Sequence, residues 1–224
     1  MSDTAEETHM LEHRWELSEQ YQLDDKQEKS QGYENSFEKI CTFDTIEQFW
    51  GYWNKIPEVS DVFYDGNEKF VVRTDSKNPE IPPKKYRIQG QCIFKEGIEP
   101  KYEDKQNMNG GNMRVVFLKD DHEKLSSFWE TVVLSLIGET LDDGDNITGA
   151  RIIDKSNPYK KQINHRVEIW FRDWKDDSFK DLLQARVEKL MKDCDITPKD
   201  LIFSQNDYSK WQKYACLWRN RCII

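Results

Sequence analysis

The 224-residue sequence predicts an α+β fold: a single domain with three helices packed on one face of an antiparallel sheet. Three observations predict it. Three segments repeat their apolar residues at helical spacing, six shorter runs read as strands, and eight Trp, nine Tyr and eleven Phe supply the rings for a core. Hydrophobic residues make up 37% and charged residues 33%, so part of the chain is expected as loop or tail.

The first helix is expected in DTIEQFWGYWNKI, where Asp44 and Glu47 resemble a capping box. At 100° per residue Ile46, Phe49, Trp53 and Ile56 share a face, and Trp50 sits at its edge. The second lies in HEKLSSFWETVVLSLIGE. Its stripe is Leu125, Phe128, Trp129, Val132 and Leu136; Leu134 points away, and Gly138 is a natural stop. The third, DSFKDLLQARVEKLMKD, aligns Phe179, Leu182, Leu183, Val187 and Leu190.

Strands are expected at 40–43, 91–94, 113–118, 150–153, 166–172 and 201–204. In RVEIWFR, alternation sends Val167, Ile169 and Phe171 to one side and Arg166, Glu168, Trp170 and Arg172 to the other. The helix-free face of the sheet then carries Arg166 and Trp170. Residues 1–12 read as a disordered acidic tail, and 13–224 as the domain. SEQYQLDDKQEKSQG reads as a polar loop. Residues 57–87, with Pro57, Pro79, Pro82 and Pro83, read as an inserted loop with room for a short hairpin, and about 206–224 as a flexible end.

A net charge of −9 argues against non-specific binding to long nucleic acid or to anionic membranes, but leaves room for a discrete anion site. Five cysteines without a CxxC spacing suggest neither a disulfide framework nor a zinc centre, and four scattered His suggest no metal or other cofactor. With no signal peptide and no run of spanning length, the expected compartment is reducing and intracellular, cytoplasmic with some nuclear presence.

FKEGIEPKYEDKQNMNGG sets an aromatic residue, Tyr102, directly beside a carboxylate, Glu103. FDTIEQFW, FKEGIEPKYED, NGG, FWE…LIGE and EIW follow in one order, and together they resemble the cap-binding translation initiation factor 4E family from about Arg14 to Ser204. The resemblance implies a strongly curved antiparallel sheet with helices on its convex back. It also implies a concave slot for the 7-methylguanosine cap of messenger RNA and a monomeric, non-catalytic protein. N7-methylated guanine is cationic, so two rings can sandwich it by stacking and cation–π attraction. One carboxylate can accept both N–H donors of its edge. By resemblance Tyr102 and Tyr33 are the two rings, Glu103 reads the edge, and Trp170 contacts the methyl group. Arg166 and Lys155 match phosphate-contacting positions, and Lys160 and Lys161 add local positive charge. On the back, Ile46, Trp50 and Leu134 match residues that hold a partner helix of the Tyr-x-x-x-x-Leu-Φ type, from a scaffold or repressor protein.

The sequence also departs from the family. Tyrosine stands in both ring positions where tryptophan is commonest, and Asn112 and Met113 follow the glycine pair in place of a basic residue and tryptophan. Tyrosine in the first ring position resembles the divergent branch that represses translation or serves special messages; Trp15 matches the main class. Both outcomes of cap binding, recruitment and repression, therefore stay open. Residue by residue, blander readings exist. Trp170 could be core, Trp50 the edge of its stripe, the lysines a solvated loop, and His165 a surface residue. A rival class is a carbohydrate-binding or hydrolytic protein that uses exposed rings and a carboxylate pair.

Overall fold

The computed structural model describes residues 8–22, 36–73, 80, 83–197 and 201–206. In chain order these form β1 (Met10–Tyr21), β2 (Phe37–Thr45), α1 (Ile46–Trp53), α2 (Val59–Val62), β3 (Val71–Arg73), β4 (Lys84–Tyr86) and β5 (Ile88–Lys95). Then follow β6 (Gly111–Phe117), α3 (Leu125–Ile137), β7 (Ile147–Asp154), β8 (His165–Phe171), α4 (Asp177–Asp193) and β9 (Ile202–Gln205). Seven strands make one antiparallel sheet in the order β2-β1-β5-β7-β8-β6-β9, and β3 pairs with β4 apart from it. Register breaks in the β1–β2, β1–β5 and β7–β8 pairs are places where a strand bends and twists more sharply.

The six expected strands are all present, most of them longer than expected. β1 was not anticipated. Its first residues were assigned to the tail and Ser18–Tyr21 to a polar loop, yet twelve residues pair with β2 on one side and β5 on the other. Trp15, Leu17 and Tyr21 join the core, and Glu19, at the same parity, is buried with them and accepts from the Tyr21 hydroxyl. Sparse alternation of that kind becomes a strand only when two neighbours satisfy its backbone.

The back of the sheet is the core. Trp15, Leu17, Ile93, Met113, Val115, Ile152, Val167, Ile169 and Phe171 pack there against Phe128, Trp129, Val132 and Leu136 of α3 and Phe179, Leu183 and Val187 of α4. The stripe of α3 is as expected; in α4 Met191 joins the core while Leu182 is only half-buried, and in α1 Phe49 is buried while Ile46, expected on the same face, is exposed. At about 25 cal/mol per Å² of apolar surface, such a layer is the main source of stability. Capping of α1 differs from the expected Asp44 arrangement. Thr45 is the cap, its hydroxyl accepting from the Gln48 N–H, while Gln48 Oε1 accepts from the Asp44 N–H. Gly138 does end α3, and the left-handed residue is Glu139 at φ 52°.

The 57–87 segment does contain the hairpin, β3–β4, but its VFY run is not loop-like. Val62, Phe63 and Tyr64 are buried. Asp154 accepts from the Tyr64 N–H at 3.0 Å, and Tyr64 O lies 3.0 Å from His165 Nε2. His165, expected at the surface, is 0% exposed because this segment folds over it.

Candidate functional site

The front face of the sheet carries a second, smaller cluster. Cys92 and Phe94 of β5 and Trp170 of β8 are buried together, with Phe37, Ile98 and Tyr102 packed against them. Phe94 and Trp170 stand two strands apart, with Gly149 of β7 in register between them. A Cβ at Gly149 would lie 2.5 Å from Phe94 Cγ, so the glycine lets the rings meet edge to face at 5.7 Å. Trp170 is therefore on the expected face but is not an open surface ring: it is 0% exposed.

Tyr102 covers it. The two rings stack with centroids 4.7 Å apart and planes 12° from parallel. The loop that presents Tyr102 is braced from within. Asp104 accepts from the Glu99 and Gln106 N–H groups, and buried Asn107 donates to Glu99 O and Lys101 O. Asn206 fastens the loop to the end of β9 by donating to Asn107 O at 2.9 Å. The glycine pair follows from sterics: a Cβ at Gly110 would lie 1.7 Å from Phe171 O, and one at Gly111 would meet Trp174 at 2.6 Å. The loop can turn into β6 only without side chains there. Glu103 stands beside Tyr102, exposed to solvent.

Cations continue from this floor. Arg151 of β7 lies with its guanidinium 4.8 Å from the Trp170 ring centroid and 5.8 Å from that of Tyr102. Its Nη2 donates to the Tyr102 hydroxyl at 3.3 Å, and its Nε to Glu168 at 2.8 Å. Arg114 of β6 pairs with the same carboxylate at 3.3 Å. Arg166 lies two residues beyond Glu168 on the same face, opposite Ile153. Lys155 is at the root of the β7–β8 hairpin, its N–H bonded to Asn164 O. Lys155 is exposed as a residue, yet its ammonium is held below the ordinary lysine range, first by the protein packed around it and then by Arg151. Arg166 adds to the same lowering. Lys160 and Lys161 lie further out, at the hairpin tip beyond the Asn157–Gln162 bridge, both exposed. Arg114 and Arg151 were not singled out from the sequence. Only the pairing of their strands sets them opposite Glu168.

Cys92 in the floor is raised to about 12 by burial, so it remains a thiol and supplies no nucleophile at neutral pH. Among the described residues, the carboxylate pair that a hydrolytic site would need is not found beside Tyr102. Asp104 is committed to backbone N–H groups, and Glu168 to two arginines.

On the back, α1 and α3 are joined by Trp53 Nε1 donating to Glu130 at 3.2 Å. Trp50 and Leu134 are half-buried at the rim of the core, and Ile46 is exposed. A cleft of about 300 Å³ opens at the Trp53–Glu130 contact, lined also by Ile56, Val59 and Trp129 and not by Trp50 or Leu134.

The sequence profile described as Eukaryotic initiation factor 4E matches residues 10–215. The chain belongs to the eukaryotic initiation factor 4E family. It is 27% identical to the Arabidopsis thaliana translation initiation factor isoform 4E over 96% of this chain and 90% of that one. With the Zea mays factor 4E-1 it shares 32% identity over 73% of this chain and 59% of that protein. Among solved structures it resembles Ascaris suum eIF4E-3 in complex with m7G cap, with TM-score 0.66 and 24% identity over 89% of this chain and 92% of that one. Caenorhabditis elegans eIF4E-3, solved with the 4E-binding protein Mextli, gives TM-score 0.66 and 23% identity over 91% and 96%. These likenesses establish the initiation factor 4E fold.

Within this initiation factor 4E fold, the structure brings together Tyr102, Trp170 and the neighbouring Glu103 at one end of the front face, with Arg166 and Lys155 at the other. Ile46, Trp50 and Leu134 lie on the helices of the opposite face. Tyr33, the second ring expected from the sequence, lies outside the described residues.

Proposed function

We propose that this member of the initiation factor 4E family binds the 7-methylguanosine cap of messenger RNA on the front face of its sheet. It presents the capped message in the cytoplasm to a scaffold subunit through α1 and α3. It does so by binding alone, without catalysis. One observation carries the reading: on a single sheet face, rings and a carboxylate (Tyr102, Trp170, Glu103) are followed in strand order by cations (Arg151, Arg166, Lys155). That is the order of a methylated guanine followed by its phosphates. The Ascaris relative solved with m7G cap and the C. elegans relative solved with a 4E-binding protein support the two halves of the reading.

Neutral guanine lacks the charge that adds cation–π attraction to stacking on Tyr102, so methylation should be read as affinity. The test is calorimetric titration with 7-methyl-GTP and with GTP. Tighter binding of the methylated nucleotide is expected, with a change in tryptophan fluorescence because Trp170 lies directly under Tyr102. Equal affinities would overturn the proposal.

A further inference from the structure

Between the ring floor and Arg166 the front face carries a charged row. Arg151, Glu168 and Arg114 stand directly opposite one another on β7, β8 and β6. Glu168 Oε2 lies 2.8 Å from Arg151 Nε, and Glu168 Oε1 lies 3.3 Å from Arg114 Nε. The side chains of Glu168 and Arg151 are 3% and 7% exposed, and that of Arg114 is 23% exposed. Arg114 Nε also donates to Asn112 at 3.2 Å. Both ion pairs use Nε, and Arg151 Nη2 reaches the Tyr102 hydroxyl.

The position of the row matters more than its strength. Glu168 is two residues from Trp170 and two from Arg166. A ligand lying from the ring floor to Arg166 spans four residues, about 13 Å of strand, and must cross the row midway. The row holds two positive charges and one negative. With Arg166 and Lys155 it is a local cationic surplus on a chain of net charge −9. If its role were only to close the sheet, apolar residues of similar volume would serve as well or better, because desolvating three charges is costly.

We propose that Arg114 and Arg151 form a further phosphate subsite between the rings and Arg166. Glu168 is its resident counter-anion, which holds both arginines in place and competes with the phosphate of a bound nucleotide. The inference rests on the cap-binding reading of this face. The phosphate nearest the ribose meets the row first. It gains from the positive charge of the two arginines and is opposed by Glu168. Glu168 thus sets how much phosphate charge the face accepts, while the uncharged sugar and the base are little affected.

The experiment measures the affinities of 7-methyl-GTP and of the nucleoside 7-methylguanosine for wild-type protein, Glu168→Gln and Arg114→Gln. Melting temperatures are recorded to confirm folding. Glu168→Gln is expected to tighten 7-methyl-GTP roughly threefold to fivefold, the scale of one partly exposed charge pair, and to leave the nucleoside unchanged. Arg114→Gln is expected to weaken the triphosphate by a similar factor and to lower its salt dependence. Arg114 is the most exposed member of the row, so its variant keeps the test decisive if Glu168→Gln fails to fold. Variants that shift both ligands equally, or neither, overturn the subsite while the cap-binding reading stands. A wild-type protein that does not distinguish 7-methyl-GTP from GTP overturns both.

Discussion

Tyr102 lies flat on Trp170, with ring centroids 4.7 Å apart. Carbon atoms in contact sit about 3.5–4.0 Å apart, so a planar base cannot enter between these rings without roughly doubling the gap. A base must therefore use the outer face of Tyr102 or lift it from Trp170. In both cases Tyr102 is the ring that meets the ligand, and Trp170 is the floor that holds it level.

Tyr102→Ala should accordingly cost one base–aromatic stack, about 1–3 kcal/mol, with the fold intact because the ring is only partly buried. Tyr102→Phe keeps the ring and loses the hydroxyl that accepts from Arg151, so it should bind 7-methyl-GTP far better than the alanine variant. Calorimetry on the pair decides it. An alanine variant that binds like wild type would mean that the stack is only internal packing.

Glu103→Ala should remove most cap affinity, since two guanine N–H donors would lose a charged acceptor worth about 1.5–3 kcal/mol. Asn107→Ala should weaken binding indirectly. Its carboxamide holds Glu99 O and Lys101 O, and Asn206 holds its own carbonyl, so the loop that carries Tyr102 and Glu103 would loosen. The signature is a lowered melting temperature together with weaker binding for Asn107→Ala, against weaker binding alone for Glu103→Ala. The reverse pattern would assign Glu103 to the structural frame.

The back face gives a separable prediction. Trp50→Ala should abolish binding of a Tyr-x-x-x-x-Leu-Φ peptide while leaving 7-methyl-GTP affinity within about twofold, because α1 and the front cluster lie on opposite sides of the sheet. Leu134→Ala should weaken the peptide less, as a smaller apolar side chain. Loss of nucleotide binding in step with a lower melting temperature would show Trp50 to be core.

His165 makes stability depend on pH. Burial pushes its pKa from 6.5 down to about 4, so the folded protein holds it neutral while the unfolded chain takes up a proton sooner. Its stabilising contribution is complete above pH 6.5 and is lost as pH falls from there toward 4, a loss of about 3 kcal/mol at 1.36 kcal/mol per unit. His122, lowered chiefly by burial, acts in the same direction. Asp154 acts in a lower window. Burial raises its pKa, but hydrogen bonds from Ser156, the Tyr64 N–H and Arg87 outweigh that, so its contribution persists to below the ordinary aspartate range. Urea unfolding at pH 7 and pH 4.5 should show the drop, and His165→Gln should reduce it. A flat profile between those values would contradict the buried, neutral histidine.

Much of the fold was legible because local rules sufficed for it. The stripe of α3 and the alternation of RVEIWFR each follow from periodicity within a short window. The motif order carried the family and the neighbouring pair Tyr102–Glu103. What the sequence left undecided depended on partners distant in the chain. β1 is a strand because β2 and β5 pair with both its edges, which its few apolar residues do not announce. His165 is buried because Phe63 and Tyr64, about a hundred residues earlier, fold onto it. Trp170 was placed on the correct face by parity, but only tertiary structure put Tyr102 over it and Arg151 beside it. Likewise Arg114, Arg151 and Glu168 are unremarkable charges along the chain, and strand register alone sets them in a row. Periodicity tells which way a side chain points. What it points at is decided by the pairing of strands that are far apart in sequence.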